Sequence, residues 1–139
     1  MLRPTIAVIV GLLVWFICAV ALNLLLRLTI PGYVAAEPLL QFTLGMMFAR
    51  LSLLGGITSV AAGFTSAWIS PRNGRVIAVL VSILVLIFLP AHYQLWTRFP
   101  VWYHLTFFGS LILLTWLGAM LRGLTAKNSV RPQAEVRGR

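Results

Sequence analysis

The chain has 139 residues, of which 60% are hydrophobic and 9% are charged, and its formal net charge is +9. A soluble globular domain carries about 25% charged residues, so this composition excludes an ordinary soluble domain and indicates a protein surrounded mostly by lipid. The basic residues stand singly at the ends of apolar segments instead of forming one cluster. This pattern argues against nucleic acid as a partner and favours anionic lipid headgroups.

Four apolar segments are long enough to cross a bilayer as helices, which takes about 20 residues each. They cover approximately residues 5–27, 40–69, 75–91 and 104–122. Lipid offers no hydrogen-bond partners to an open strand, so each segment is predicted to be a helix. The predicted fold class is therefore all-α: a polytopic integral membrane protein with four transmembrane helices.

The first span is predicted to end at Pro31 and Gly32, because Pro-Gly cannot continue a helix. Residues 34–38 are predicted to form a short turn, which carries Glu37. The second segment is longer than the hydrocarbon core is thick. We therefore expect it to tilt, or to begin outside the hydrocarbon.

Small residues recur at every fourth position of this second segment, at Gly55, Ser59, Gly63 and Ala67. Such a stripe favours close approach of helix backbones in lipid, which predicts that this helix is the central one of the bundle. A homodimer could use the same stripe, and the sequence does not choose between the two. Arg50 falls on the opposite, bulky side of the helix by the 100° rule, so we expect it to point toward lipid at an interface.

The third span contains Pro90, which is expected to end or kink it. Residues 90–104 then combine two Trp, two Tyr, two His and an Arg, a composition typical of the membrane headgroup zone. After the fourth span, residues 125–139 are basic and have no apolar periodicity. The chain is thus predicted to have a transmembrane domain, 1–124, and a disordered cytoplasmic tail, 125–139.

The cations are distributed unequally between the two sets of segment ends. Eight of the eleven belong to one set: Arg3, Arg72, Arg75, Arg122, Lys127, Arg131, Arg137 and Arg139. The other set holds only Arg27, Arg50 and Arg98. The positive-inside rule therefore predicts that both termini are cytoplasmic. We expect a multi-pass protein of the inner (plasma) membrane of a bacterium.

Polar residues gather at the opposite, non-cytoplasmic interface. The candidate ligand or lipid-headgroup residues are Asn23, Arg27, Glu37, Arg50, His92, Arg98 and His104. Such a layer could bind a lipid phosphate, a carboxylate-bearing ligand or a metal. The expected lipid-facing position of Arg50 favours the other interpretation, in which the layer only anchors the helices, since interfacial Arg and His commonly extend to headgroups.

The residues required by the common catalytic mechanisms are missing from the sequence. Glu37 is the only acid before residue 125, so paired carboxylates are impossible there. The sequence contains no cysteine pair, no glycine-rich phosphate loop and no nucleophile elbow. We predict no catalytic residues, no metal and no cofactor, and we expect the two histidines to be hydrogen-bonded interfacial groups.

Packing features without intramembrane chemistry predict a non-catalytic accessory, assembly or scaffolding subunit. Such a protein would act through helix–helix and lipid-headgroup contacts, as a homo-oligomer or within a larger membrane complex. The alternative is an oligomeric channel or small-solute transporter subunit. An enzyme acting on lipid headgroups at the outer face is the third possibility.

The predicted orientation is testable with accessibility tags. A tag at the carboxyl terminus and a tag in the turn after Ile69 should both be reached only from the cytoplasmic side, because two spans separate these two positions. If the two tags are reached from different sides, the predicted topology is wrong.

Overall fold

The computed structural model describes the backbone of residues 2–71 and 73–137 and the side chains of 2–71 and 73–125. It contains five helices: α1 (Leu2–Thr29), α2 (Tyr33–Leu39), α3 (Leu44–Ile69), α4 (Gly74–Gln94) and α5 (Val101–Arg137). Strands are absent from these residues, and α1, α3, α4 and the first part of α5 are each long and apolar enough to cross a membrane. The all-α, four-span prediction is confirmed, whereas the orientation of the termini stays a prediction.

The predicted division at residue 125 also stays a prediction. Helix α5 continues along the backbone to Arg137, while the side chains after Thr125 lie outside the described residues, together with all of Gly138 and Arg139.

Two boundaries differ from the expectation in ways that matter for the site. Helix α4 continues past Pro90 to Gln94, and the Leu95 N–H donates to the Ala91 carbonyl at 3.1 Å, so helical hydrogen bonding resumes after the proline. Pro90 removes one donor near the end of the helix without stopping it. As a result His92 lies on the last turns of a helix and not in a loop.

The predicted turn at residues 34–38 is wrong, because this segment is the helix α2. Gly32 allows the reversal after α1 with a left-handed φ of 78°, a conformation that glycine adopts without steric cost. Pro38 lies in the last turn of this short helix, so it removes a single hydrogen bond, the one that an N–H there would make to the Val34 carbonyl. The reversal brings α2 back against the end of α1.

Helix α3 has three parts: a short α-helix, Leu44–Arg50, a π-helical stretch, Leu51–Ile57, and a second α-helix, Thr58–Ile69. A π-helix bonds each N–H to the carbonyl five residues earlier, so it turns less per residue than an α-helix. The 100° rule therefore cannot be extended from the small-residue stripe back to Arg50. The expectation that Arg50 points to lipid is wrong, because its side chain lies over the ring of Phe42 inside the bundle.

The second half of α3 lies between α1 and α5, and the four stripe residues Gly55, Ser59, Gly63 and Ala67 are all buried. Trp15 on α1 donates its indole N–H to Ser59 Oγ at 3.3 Å. On the other side, a Cβ added at Gly63 would overlap the backbone carbonyl of Thr115 on α5. Backbones therefore meet closely here, as small residues permit in lipid.

Gly63→Ala should destabilise the bundle by about 1–3 kcal/mol, the usual cost of overpacking a close contact. Unfolding in mixed detergent micelles measures the effect. Gly109→Ala is the matched control, because an added Cβ there meets nothing within 4 Å. Equal stability of the two variants would contradict the close contact between α3 and α5.

Candidate functional site

A hydrogen-bonded network forms at one end of the bundle, where α1 and α4 end and α3 and α5 begin. We call this the cavity end, because residues of the network line a cavity there. Glu37 on α2 accepts from Asn23 Nδ2 at 3.2 Å and from Arg27 Nε at 2.7 Å. Arg27 Nη2 also lies 2.6 Å from Glu37 Oε2. Asn23 and Arg27 are one turn apart on α1, so a single carboxylate contacts both.

The hydroxyl of Tyr33 extends this network to α3. It donates to Asn23 Oδ1 at 2.9 Å and accepts from Arg50 Nη1 at 2.5 Å. Tyr33 is fully buried, so these two bonds satisfy a polar atom that water does not reach. Tyr33 was not among the site residues predicted from the sequence. Its position beside the Pro-Gly reversal, opposite the polar end of α1, was the available signal.

The two titratable groups of α2 shift in opposite directions. Burial raises the pKa of Tyr33 above its ordinary value, and the nearby Arg50 only partly offsets this. Burial also acts to raise the pKa of Glu37, but hydrogen bonds from Arg27 and Asn23 and the positive charges outweigh it, so the pKa of Glu37 is lowered. Glu37 is therefore a stable anion that is already paired.

Arg50 has no comparable anionic partner. In the part of the chain whose side chains are described, the one ion pair joins Arg27 to Glu37. The guanidinium of Arg50 lies 4.6 Å from the ring centre of Phe42 and bonds the neutral Tyr33 hydroxyl. Its Nε is buried and has no hydrogen-bond partner among the described residues.

His92 on α4 and His104 on α5 contact each other through their Nδ1 atoms at 2.7 Å. Such a contact requires one proton between the two nitrogens, so one ring donates and the other accepts. His104 is 1% exposed, and its Nε2 has no partner among the described residues. The two histidines have no third potential metal ligand beside them, since no cluster of three or more His, Cys, Asp or Glu occurs where side chains are described.

A cavity of about 570 Å³ connects the polar network with the histidine pair. Its polar lining consists of Asn23, Arg27, Glu37, Arg50, His92, Tyr103 and His104. Its apolar part reaches Trp15 and Phe88, whose rings pack at 4.7 Å. From Trp15 to Arg27 is twelve residues of α1, or about 18 Å of helix, so the cavity is elongated, with its charged groups toward one end.

The cavity opens along α1. Val20 and Leu24 line it although they are 71% and 54% exposed at the surface of the bundle. These residues lie within a candidate membrane span. The opening therefore faces the region that lipid chains would occupy.

Six of the seven site residues that were predicted from the sequence lie around this cavity. Arg98 is the exception, since it is exposed in the loop after α4 and does not line the cavity. A second groove of about 880 Å³ lies between α3 and α5, but no charged side chain lines it. The cavity is the better candidate for a specific site, because a few polar groups converge on an apolar space.

Comparison with protein families, with curated proteins and with solved structures found no match to this chain.

Glu37→Gln should reduce the free energy of unfolding at neutral pH by up to about 1 kcal/mol, because the pair with Arg27 is partly exposed. Since the folded-state pKa of Glu37 is lowered, its contribution is present above the ordinary value of 4.5 and is lost as pH falls through the folded-state pKa. Thermal unfolding between pH 7 and 3 should show a smaller acid-induced loss for the variant. Equal losses in both proteins would contradict the lowered pKa.

Proposed function

We propose that this protein is a non-catalytic accessory membrane protein that binds an amphiphile from the bilayer in the cavity. The observation that carries the proposal is the form of the cavity, which has charged groups toward one end, aromatic rings at the other and an opening along the exposed face of α1. An amphiphile has the same division between a polar head and an apolar chain.

The lateral opening favours a ligand that is already dissolved in the membrane. Such a molecule reaches the cavity past Val20 and Leu24 without crossing water, and its chain exchanges one apolar environment for another. The binding free energy then depends on the fit against the rings of Trp15 and Phe88 and on the polar groups at the head. A volume of about 570 Å³ lies within the range of small-molecule sites.

The state of Glu37 supports a binding role. It is the only carboxylate among residues with described side chains, and it is held as an anion by Arg27 and Asn23. A carboxylate with a lowered pKa and two donors is a weak proton acceptor. We propose that the protein presents its amphiphile, unchanged, to a larger assembly in the inner (plasma) membrane.

Ala19→Phe tests the cavity directly. Ala19 lines the cavity, so a phenyl ring there should fill the space beside Val20 and reduce the bound amphiphile at least about tenfold, the effect of losing roughly 1.4 kcal/mol. Native mass spectrometry of protein purified in a mild non-ionic detergent measures the amphiphile retained per chain. Ala21→Phe is the matched control, because Ala21 is exposed on the same helix and does not line the cavity.

The wild-type protein and Ala21→Phe should retain the same amphiphile, with the mass of its unmodified form after incubation. Equal retention by Ala19→Phe would refute the cavity as the binding site. Conversion of the amphiphile to a product would refute the non-catalytic role.

A further inference from the structure

The charges around the cavity do not balance. Two arginines line it, Arg27 and Arg50, and one carboxylate, Glu37. Both oxygens of that carboxylate are engaged by α1, one by Asn23 and the other by Arg27. The positive charge of Arg50 is therefore left without a carboxylate in direct contact among the residues with described side chains.

The partners of Arg50 are suited to a cation that still has to bind an anion. The phenol oxygens of Tyr33 and Tyr103 and the face of the Phe42 ring stabilise the guanidinium without neutralising it. The planar guanidinium can bond a carboxylate or a phosphate through two parallel N–H groups. Its Nε–H is one such donor and has no partner among the described residues.

His104 Nε2 is a second buried nitrogen, after Arg50 Nε, that has no hydrogen-bond partner among the described residues. It is almost completely buried, and its ring stacks on Trp96 with centroids 4.8 Å apart. When His92 Nδ1 donates to His104 Nδ1, the neutral His104 ring carries its proton on Nε2. In that tautomer His104 Nε2 is a donor without a partner among the described residues, on a side chain that lines the same cavity as Arg50.

We propose that the ligand is an anionic, single-chain amphiphile whose head is bound by Arg50 Nε and His104 Nε2, with its chain directed toward Trp15 and Phe88. This inference rests on the proposed function and adds the charge of the head and the residues that recognise it. The shared chemistry is an anionic oxygen head, carboxylate or phosphate. The single chain follows from one elongated cavity, which runs about 18 Å along α1 from the charged groups near Arg27 to Trp15.

The test uses three probes with the same sixteen-carbon chain in a non-ionic detergent at pH 8: palmitate, hexadecanol and a monoacyl glycerol phosphate. Radiolabelled forms are titrated directly against the full-length protein. Palmitate and hexadecanol differ in the charge of the head, so the ratio of their dissociation constants isolates anion recognition. The phosphate probe then distinguishes the two possible heads.

The wild-type protein should bind at least one anionic probe about tenfold or more tightly than hexadecanol, the effect expected of one charge-assisted hydrogen bond. Arg50→Gln should bring this ratio close to one. Arg98→Gln is the matched control, because it removes a cation at the same end of the bundle but outside the cavity. It should leave the ratio unchanged.

His104→Gln should lower the same ratio, which keeps the inference falsifiable if Arg50→Gln does not fold. Equal binding of all three probes by the wild-type protein would overturn the anionic head and leave the proposed function standing. Failure to bind any of them would overturn the proposed function itself. Tighter binding of palmitate than of the phosphate probe, or the reverse, supports the inference and identifies the head.

Discussion

The hydroxyl of Tyr33 joins three helices at the cavity end. It lies on α2, donates to Asn23 on α1 and accepts from Arg50 on α3. Polar groups within a membrane protein have few water molecules to bond, so they must find partners within the chain. This junction holds α2 against the end of α1, where Glu37 meets Arg27, and it also directs Arg50 inward. The charged lining of the cavity depends on it.

The two ends of the bundle pack in different ways, and the cavity follows from the difference. Toward the start of α1, small residues allow backbones to touch: Ser66 donates to the Ala7 carbonyl at 2.9 Å, and Gly63 lies against Thr115. Toward the cavity end, aromatic rings such as Phe88 and Phe107 lie between the helices. Large rings hold helices farther apart than glycine and serine do, so space remains among them. An amphiphile there would complete the packing.

Much of the site could be predicted because depth in a membrane follows from counting along helices. Asn23, Arg27, His92 and His104 lie at the ends of apolar segments, and segment ends from different parts of the chain meet at one level of a bundle. Arg98 obeys the same count but lies outside the cavity, because counting gives the level of a residue and not its direction. The π-helical stretch at Leu51–Ile57 was equally hidden, since a run of small and apolar residues gives no sign of it. For that reason the inward direction of Arg50 could not be predicted.

The sequence by itself determined that this is an all-α chain with four membrane-crossing helices, because the length and apolarity of a segment decide whether lipid can surround it. It also indicated which polar residues lie at the same end of the bundle. Only the tertiary structure decided that Glu37 pairs with Arg27, that Arg50 has no carboxylate partner among the residues with described side chains, and that the two histidines are hydrogen-bonded to each other. Those outcomes depend on the reversal into α2 and on the π-helical part of α3, which turns less per residue than an α-helix and so changes the direction of Arg50. They are relations between side chains from different helices, set by contact geometry that composition and spacing do not encode.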